Sequence, residues 1–204
     1  MKSLQIVVKF MGVLALGMGL LAGCASTSYI NVNYQLPTAP DKLTGQKVFL
    51  DYKDARAEKT FLSPSAQAEF KYFTGIFSLT LTGAQQDNLV GSFDAASLFK
   101  EAFKRRLNAI GVEVASVRAD NQPVMEIILK DFFLDLKNRR WMARINFETH
   151  LTREPGHVAT QTVAGAAERL KTVGRGEAEK VLGEIFTDAV NDVKISELFQ
   201  KVGL

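Results

Sequence analysis

The spacing of apolar positions divides the chain into a greasy start, a polar stretch and a long patterned body. Lys2 to Lys9 form a short basic region, and Phe10 to Leu21 is uncharged and apolar. From Ala25 to about Thr44 the chain is polar, contains Pro37 and Pro40, and shows no sustained period. That combination predicts a tether. Patterning begins near Gly45, where Val48, Phe49 and Leu50 make a short apolar run suited to a buried strand. Ile76 to Thr82 alternates and reads as a strand ending at Gly83. Between them Phe61, Phe70, Tyr72 and Phe73 lie in a polar, proline-containing region with no period to assign.

Ser92 is placed to cap a helix in which Ala96, Phe99, Phe103, Leu107 and Ile110 recur every three or four residues, and Gly111 is placed to end it. Lys100, Glu101, Lys104 and Arg105 fall on the opposite side, so the Lys104-Arg105-Arg106 run reads as a solvated face diluted by Glu101. Val124 to Leu136 and Trp141 to Leu151 form two strands around an Asn138-Arg139 turn. A two-residue turn there sets Leu136 opposite Trp141, Leu134 opposite Ala143 and Phe132 opposite Ile145. A second turn at Pro155-Gly156 would set Phe147 opposite Ala164 and Ile145 opposite Ala166. Beyond Gly174-Arg175-Gly176, an apolar stripe from Ala178 to Val193 has helical spacing, and Ser196 could cap a last short helix through Phe199. This order predicts a two-layer α+β domain: an antiparallel sheet with two main helices packed on one face.

The greasy start changes how the rest is read. A basic region followed by an apolar stretch shorter than the roughly 20 residues of a membrane-spanning helix has the layout of a secretory signal. It ends in Leu21-Ala22-Gly23-Cys24, which resembles the lipobox of bacterial lipoproteins: a branched aliphatic, two small residues, then cysteine. Small side chains admit a protease to the scissile bond, and the thiol takes up diacylglycerol. The resemblance implies removal of residues 1–23, a lipidated tether over 24–44, and a single periplasmic α+β domain over 45–204. Ala25, in place of aspartate after the cysteine, points to the outer membrane under the sorting rule of such lipoproteins.

Charge and composition then narrow the function classes. The chain has 25 basic and 22 acidic residues, and the leader holds Lys2 and Lys9, so the remainder is nearly neutral. A concentrated nucleic-acid-binding surface is not indicated. Cys24 is the sole cysteine, which leaves no disulfide, thiol catalyst or cysteine metal site once it carries lipid. His150 and His157 are the two histidines, and the second hairpin keeps them apart, with His150 opposite Gln161. Gly174-Arg175-Gly176 lacks the full phosphate-binding glycine fingerprint and reads as a loop. Asp131 and Asp135 share a strand face, with Asp135 diagonal to Arg144, and read as ion-pairing residues rather than an acid–base pair. No cofactor or metal site is called for. Met125, Ile127, Leu129 and Phe133 are expected to point away from the helices, leaving an apolar patch that a partner or lipid could use, unless the aromatic Phe61 to Phe77 segment covers it.

The lipobox, the helix end Arg106-Leu107-Asn108-Ala109-Ile110-Gly111-Val112, the hairpins and the closing stretch Val181 to Asp192 together resemble the YajG-type family of bacterial lipoproteins over roughly Gly45 to Lys201. The extended Ala55 to Asn88 region departs from it. The resemblance implies a small periplasm-facing α+β lipoprotein without established enzymatic activity. The expected function is a non-enzymatic accessory protein of the cell envelope, bound to the membrane through its N-terminal lipid and to an envelope protein or lipid partner. The alternative is an auxiliary lipoprotein of a lipid-transport system that accepts acyl chains, and an envelope hydrolase stands last.

Overall fold

The computed structural model describes residues 29–38, 42–83, 87–154 and 156–204. In chain order these form β1 (Tyr29–Tyr34), β2 (Lys47–Asp54), α1 (Pro64–Glu69), β3 (Ile76–Leu81), β4 (Asn88–Phe93), α2 (Ala95–Ala109), β5 (Glu113–Ala115), β6 (Val124–Lys137), β7 (Arg140–Arg153), β8 (His157–Leu170), α3 (Gly176–Asp192) and α4 (Ile195–Lys201). The strands make a five-stranded sheet ordered β5-β2-β6-β7-β8 and a three-stranded sheet ordered β1-β3-β4. Both are mixed. β6, β7 and β8 are antiparallel, as expected, but β2 runs parallel to β5 and β6, and β1 runs parallel to β3. The chain between β2 and β6 makes β3, β4 and α2 before returning, and such a crossover brings a strand back parallel. Each main helix touches both sheets, α2 through β2, β5, β3 and β4, and α3 through β1, β7 and β8. The helices therefore bridge two sheets over one shared core.

The tether prediction fails over Tyr29–Tyr34. Ile30, Val32 and Tyr34 are fully buried on one side of β1 and Asn31 and Asn33 take the other, an alternation too short to stand out from the polar, proline-containing stretch around it. Folded structure thus starts at least 16 residues earlier than Gly45.

The first hairpin forms in the expected register, with Leu136 opposite Trp141, Leu134 opposite Ala143 and Phe132 opposite Ile145. Asn138 and Arg139 both take positive φ, 51° and 59°, as a two-residue turn matched to strand twist requires. The second hairpin is shifted by one residue: Arg153 pairs with His157, Phe147 with Val163 and Ile145 with Gly165. Three residues, Glu154 to Gly156, close it rather than two, and Gly156 supplies φ 82°. Because side chains alternate, the slip turns Ala164 and Ala166 outward and brings Val163 and Gly165 to the core side. Gly165 leaves room for Ile185 of α3, whose Cγ1 lies 3.3 Å from where a Cβ would stand.

Helix α2 starts two residues later than Ser92 suggests, capped by Asp94, whose carboxylate accepts from Ser97 N at 2.7 Å. Ile110 ends it and Gly111 follows at φ 88°. The last helix begins at Ile195 with Lys194, not Ser196, at its cap position. Arg106 is not on the solvated face. It is 8% exposed, and its guanidinium donates to the carbonyls of Val190, Asn191 (2.9 Å) and Val193 (2.6 Å). The side chain of one helix so caps the C-terminal end of the other, where unpaired carbonyls carry partial negative charge.

The unassigned region supplies the centre of the core. After β2, Asp54 accepts from Arg56 Nε (3.1 Å) and Nη2 (2.9 Å) and from Lys59, and these cations hold its carboxyl well below the usual carboxylate range. The chain then climbs the edge of β6, with Leu134 N donating to Phe61 O (2.8 Å) and Ser63 N to Leu134 O (3.0 Å). Ser63 caps α1 through Ala66 N and Pro64 takes the first helical position. Phe132 of β6 meets Phe61 (4.8 Å), Phe77 of β3 (5.5 Å), Phe99 of α2 (5.4 Å) and Phe186 of α3 (6.4 Å), so one ring joins both sheets and both helices.

Two outcomes check this arrangement. Arg106→Ala should lower unfolding free energy by about 3 kcal/mol in urea titration, since it strands carbonyls held by a charged donor, and Arg106→Lys should recover only a minor part because one ammonium cannot span three acceptors. The pair Asn146→Cys with Ala164→Cys should crosslink on oxidation, whereas Ile145→Cys with Ala166→Cys should not.

Candidate functional site

Leu21, Ala22, Gly23 and Cys24 lie outside the described residues. What the structure fixes is the point where the chain that follows them enters the fold. Strand β1 is an edge strand, and an edge leaves a row of backbone groups to satisfy. Helix α3 runs beside it and satisfies them with side chains four residues apart. Glu179 Oε1 accepts from Asn31 N and Nδ2, both at 3.1 Å. Thr187 Oγ1 accepts from Gln35 N (3.2 Å) and donates to Asn33 O (3.3 Å). Asn191 Nδ2 donates to Gln35 O (2.8 Å), and Asn191 Oδ1 accepts from the Tyr34 hydroxyl (3.0 Å). Burial pushes the Tyr34 phenol far above its ordinary value, so it stays a donor.

Gly183 occupies the remaining place in this series. A Cβ there would stand 3.0 Å from Asn33 O and 3.1 Å from Asn33 N, so only glycine lets strand and helix meet this closely. The spacing works because four helical residues rise about 6 Å and two strand residues about 6.6 Å, so successive side chains keep step with alternate residues of β1. None of this was legible beforehand. Glu179, Gly183, Thr187 and Asn191 fall outside the residues of the apolar stripe, and their partners lay in the supposed tether.

The expected apolar patch is absent as a surface. Met125, Ile127 and Leu129 are fully buried in the common core. The pairing of β6 with β7 shifts between Leu129 and Asp131, leaving Lys130 as an extra residue in β6. One inserted residue reverses which face each side chain takes: odd positions point inward before Lys130 and even positions after it. Unbroken alternation from Val124 to Leu136 had placed them outside. Phe133 does lie on the open face, half-buried, with the Arg144 guanidinium 4.8 Å above its ring. Arg144, opposite Phe133, has Asp131 and Asp135 as its two diagonal neighbours and pairs with Asp131 at 3.0 Å, while Asp135 accepts instead from Ser65 Oγ (3.2 Å) and Leu136 N (2.8 Å).

Groups able to do chemistry do not converge. His150 lies on the sheet opposite Thr160 and contacts Glu148 at 3.1 Å, while His157 begins β8. No group of three or more metal-ligating side chains occurs among the described residues. Arg175, before α3, lies 5.2 Å over the Phe70 ring. The clefts are shallow. One of about 370 Å³ follows the α3–β1 seam between Asn33, Gln35, Thr82 and Lys180, and one of about 500 Å³ follows α3 along β8 past Gly165, Ile185 and Asp188. No described helix is long and apolar enough to cross a membrane.

No family model and no curated protein matches the chain. Solved structures do resemble it. A Xanthomonas campestris protein of the family-model DUF330 superposes with a TM-score of 0.55 at 13% identity, covering 85% of this chain and 95% of that one. The rare lipoprotein B from Shewanella oneidensis gives a TM-score of 0.40 at 13% identity, covering 76% and 96%. A minor lipoprotein from Acinetobacter baumannii gives 0.39 at 11%, covering 77% and 90%. The first likeness shows a shared fold at an identity that speaks for fold alone, and the other two fall below the similarity needed for that.

The seam generates a direct expectation. Gly183→Ala should destabilise the domain by about 1–3 kcal/mol through overpacking, despite the helix propensity alanine adds. In hydrogen exchange, both Gly183→Ala and Glu179→Ala should speed the amides of residues 30–34 more than those of β7.

Proposed function

We propose that the chain is a lipid-anchored protein of a bacterial cell envelope, cut before Cys24, and that its domain acts by binding another envelope component rather than by catalysis. The observation that carries this reading is the Leu21-Ala22-Gly23-Cys24 motif standing five positions ahead of the first strand. Diacylglycerol and an amide-linked chain such as palmitate on Cys24 would hold the protein stably, since two or three acyl chains anchor where one is marginal. With Ala25 following, the outer membrane is the proposed destination and the periplasm the space the domain faces. Membership in the YajG-type family belongs to the same proposal.

The scattered histidines, the engaged carboxylates and the open, shallow clefts support a binding role over a hydrolase. The acyl-chain alternative loses its proposed groove, because Met125, Ile127 and Leu129 are sealed in the core and packed aromatic rings fill the space between the sheets. Membrane-bound native protein should yield an N-terminal peptide starting at lipid-modified Cys24 by mass spectrometry. Cys24→Ser should either keep residues 1–23 or leave the membrane fraction. A variant processed at the same bond and equally membrane-bound would end the anchoring model.

A further inference from the structure

The lipid-bearing residue can reach only one end of the domain. From Cys24 to Tyr29 there are five residue steps of at most about 3.6 Å, or about 18 Å in all, whereas the 14-residue strands of the main sheet extend about 46 Å at roughly 3.3 Å per residue. The reachable end is the one where β1 begins. Tyr29 pairs with Ile76, which follows the 70–75 loop, and Phe70 of that loop meets Trp141 at 5.7 Å and the Arg175 guanidinium at 5.2 Å. Lys171 ties the end of β8 to the same place, through its N–H on Arg139 O (2.8 Å) and its ammonium on Glu69 (2.5 Å). The 70–75 loop, the 138–139 turn and the 171–175 loop therefore surround the entry of β1.

This end differs in composition from the rest of the surface. Seven large apolar side chains are exposed among the described residues, and four of them are here: Tyr29, Tyr72 (62%), Leu170 (59%) and Val173 (99%). Lys71, Lys137 and Arg139 are exposed around them. Of the carboxylates at this end, Glu69 pairs with Lys171 and Glu168 with Arg140 at 2.6 Å, while Asp135 accepts from Ser65 and the Leu136 amide and keeps its charge near Lys137, so that the cations Lys71 and Arg139 are in excess. The outward balance is thus cationic, on a protein that is nearly neutral beyond its leader. Exposed tyrosine and aliphatic side chains beside lysine and arginine suit the headgroup region of a bilayer.

We propose that this end, comprising Tyr72, Leu170 and Val173 with Lys71, Lys137 and Arg139, is a membrane-contact face that rests on anionic phospholipid headgroups. The face rests on the anchoring reading, because a lipidated Cys24 lets β1 begin at most about 18 Å from the bilayer, about two screening lengths of salt solution, so this end can settle onto the surface charge. A long tether would let the domain turn freely; this short one presents the same end.

The test uses the lipidated protein in phosphatidylglycerol–phosphatidylethanolamine vesicles, in phosphatidylcholine vesicles and in neutral detergent, with backbone hydrogen exchange as the readout. Residues 71–75, 138–140 and 170–175 should be protected in the anionic vesicles only, and added salt should remove the protection. Neutralising the face with Lys71→Gln, Lys137→Gln and Arg139→Gln should cut the protection by about fivefold per charge, while β6–β7 amides and the mass at Cys24 stay unchanged. Equal exchange in all three media overturns the proposal, as does protection confined to another face. Protection found in native membranes but in neither vesicle assigns the face to a protein and also overturns it. A native N-terminus without lipid overturns the anchoring reading itself, and the mass measurement separates that failure from the others.

Discussion

The α3–β1 seam is the constraint on which the placement of everything else depends. An edge strand with three buried side chains and a row of unpaired amides cannot stay folded without a partner on its open side. Glu179, Thr187 and Asn191 provide that partner from a helix, and Gly183 provides the close approach. Because the helix is itself fixed over β7 and β8, the seam joins the small sheet to the large one. It also decides where the N-terminal segment leaves the domain, and hence which surface faces whatever that segment is attached to.

Two further devices hold the same body together from inside. Phe132 touches rings contributed by the 55–63 connection, the small sheet and both main helices, and aromatic pairs of this kind contribute about 0.5–1.5 kcal/mol each beyond their burial. At the opposite end from the β1 entry, Arg106 closes α3 with three hydrogen bonds from α2. A buried guanidinium is tolerated there because it meets carbonyls that carry the negative end of a helix dipole. The bulge at Lys130 links the two: without the extra residue, Phe132 and Leu129 could not both point inward from one strand.

Among the described residues the concave places are the shallow clefts beside α3, and the two histidines, on β7 and at the start of β8, are not in their lining. The exposed side chains of Tyr72, Leu170 and Val173, with Lys71 and Arg139, lie at the end where β1 begins. A protein anchored by lipid there is confined in orientation as well as in position, which raises the effective concentration of its outward surfaces toward anything held in the same envelope.

Local patterning alone determined the first hairpin with its register, the two main helices and the end of α2 at Gly111, because each depends on residues close in sequence. Turn chemistry at Asn138-Arg139 and period-3.6 apolar stripes are short-range signals. The register of the second hairpin, the inward turn of Met125, Ile127 and Leu129, the burial of Arg106 and the existence of β1 were decided only in three dimensions. Each turns on one inserted residue or on a partner more than 80 positions away. A one-residue change in loop or strand reverses every side chain beyond it, and an isolated edge strand has no stability to advertise until α3, 148 positions on at the Asn31–Glu179 contact, lies against it.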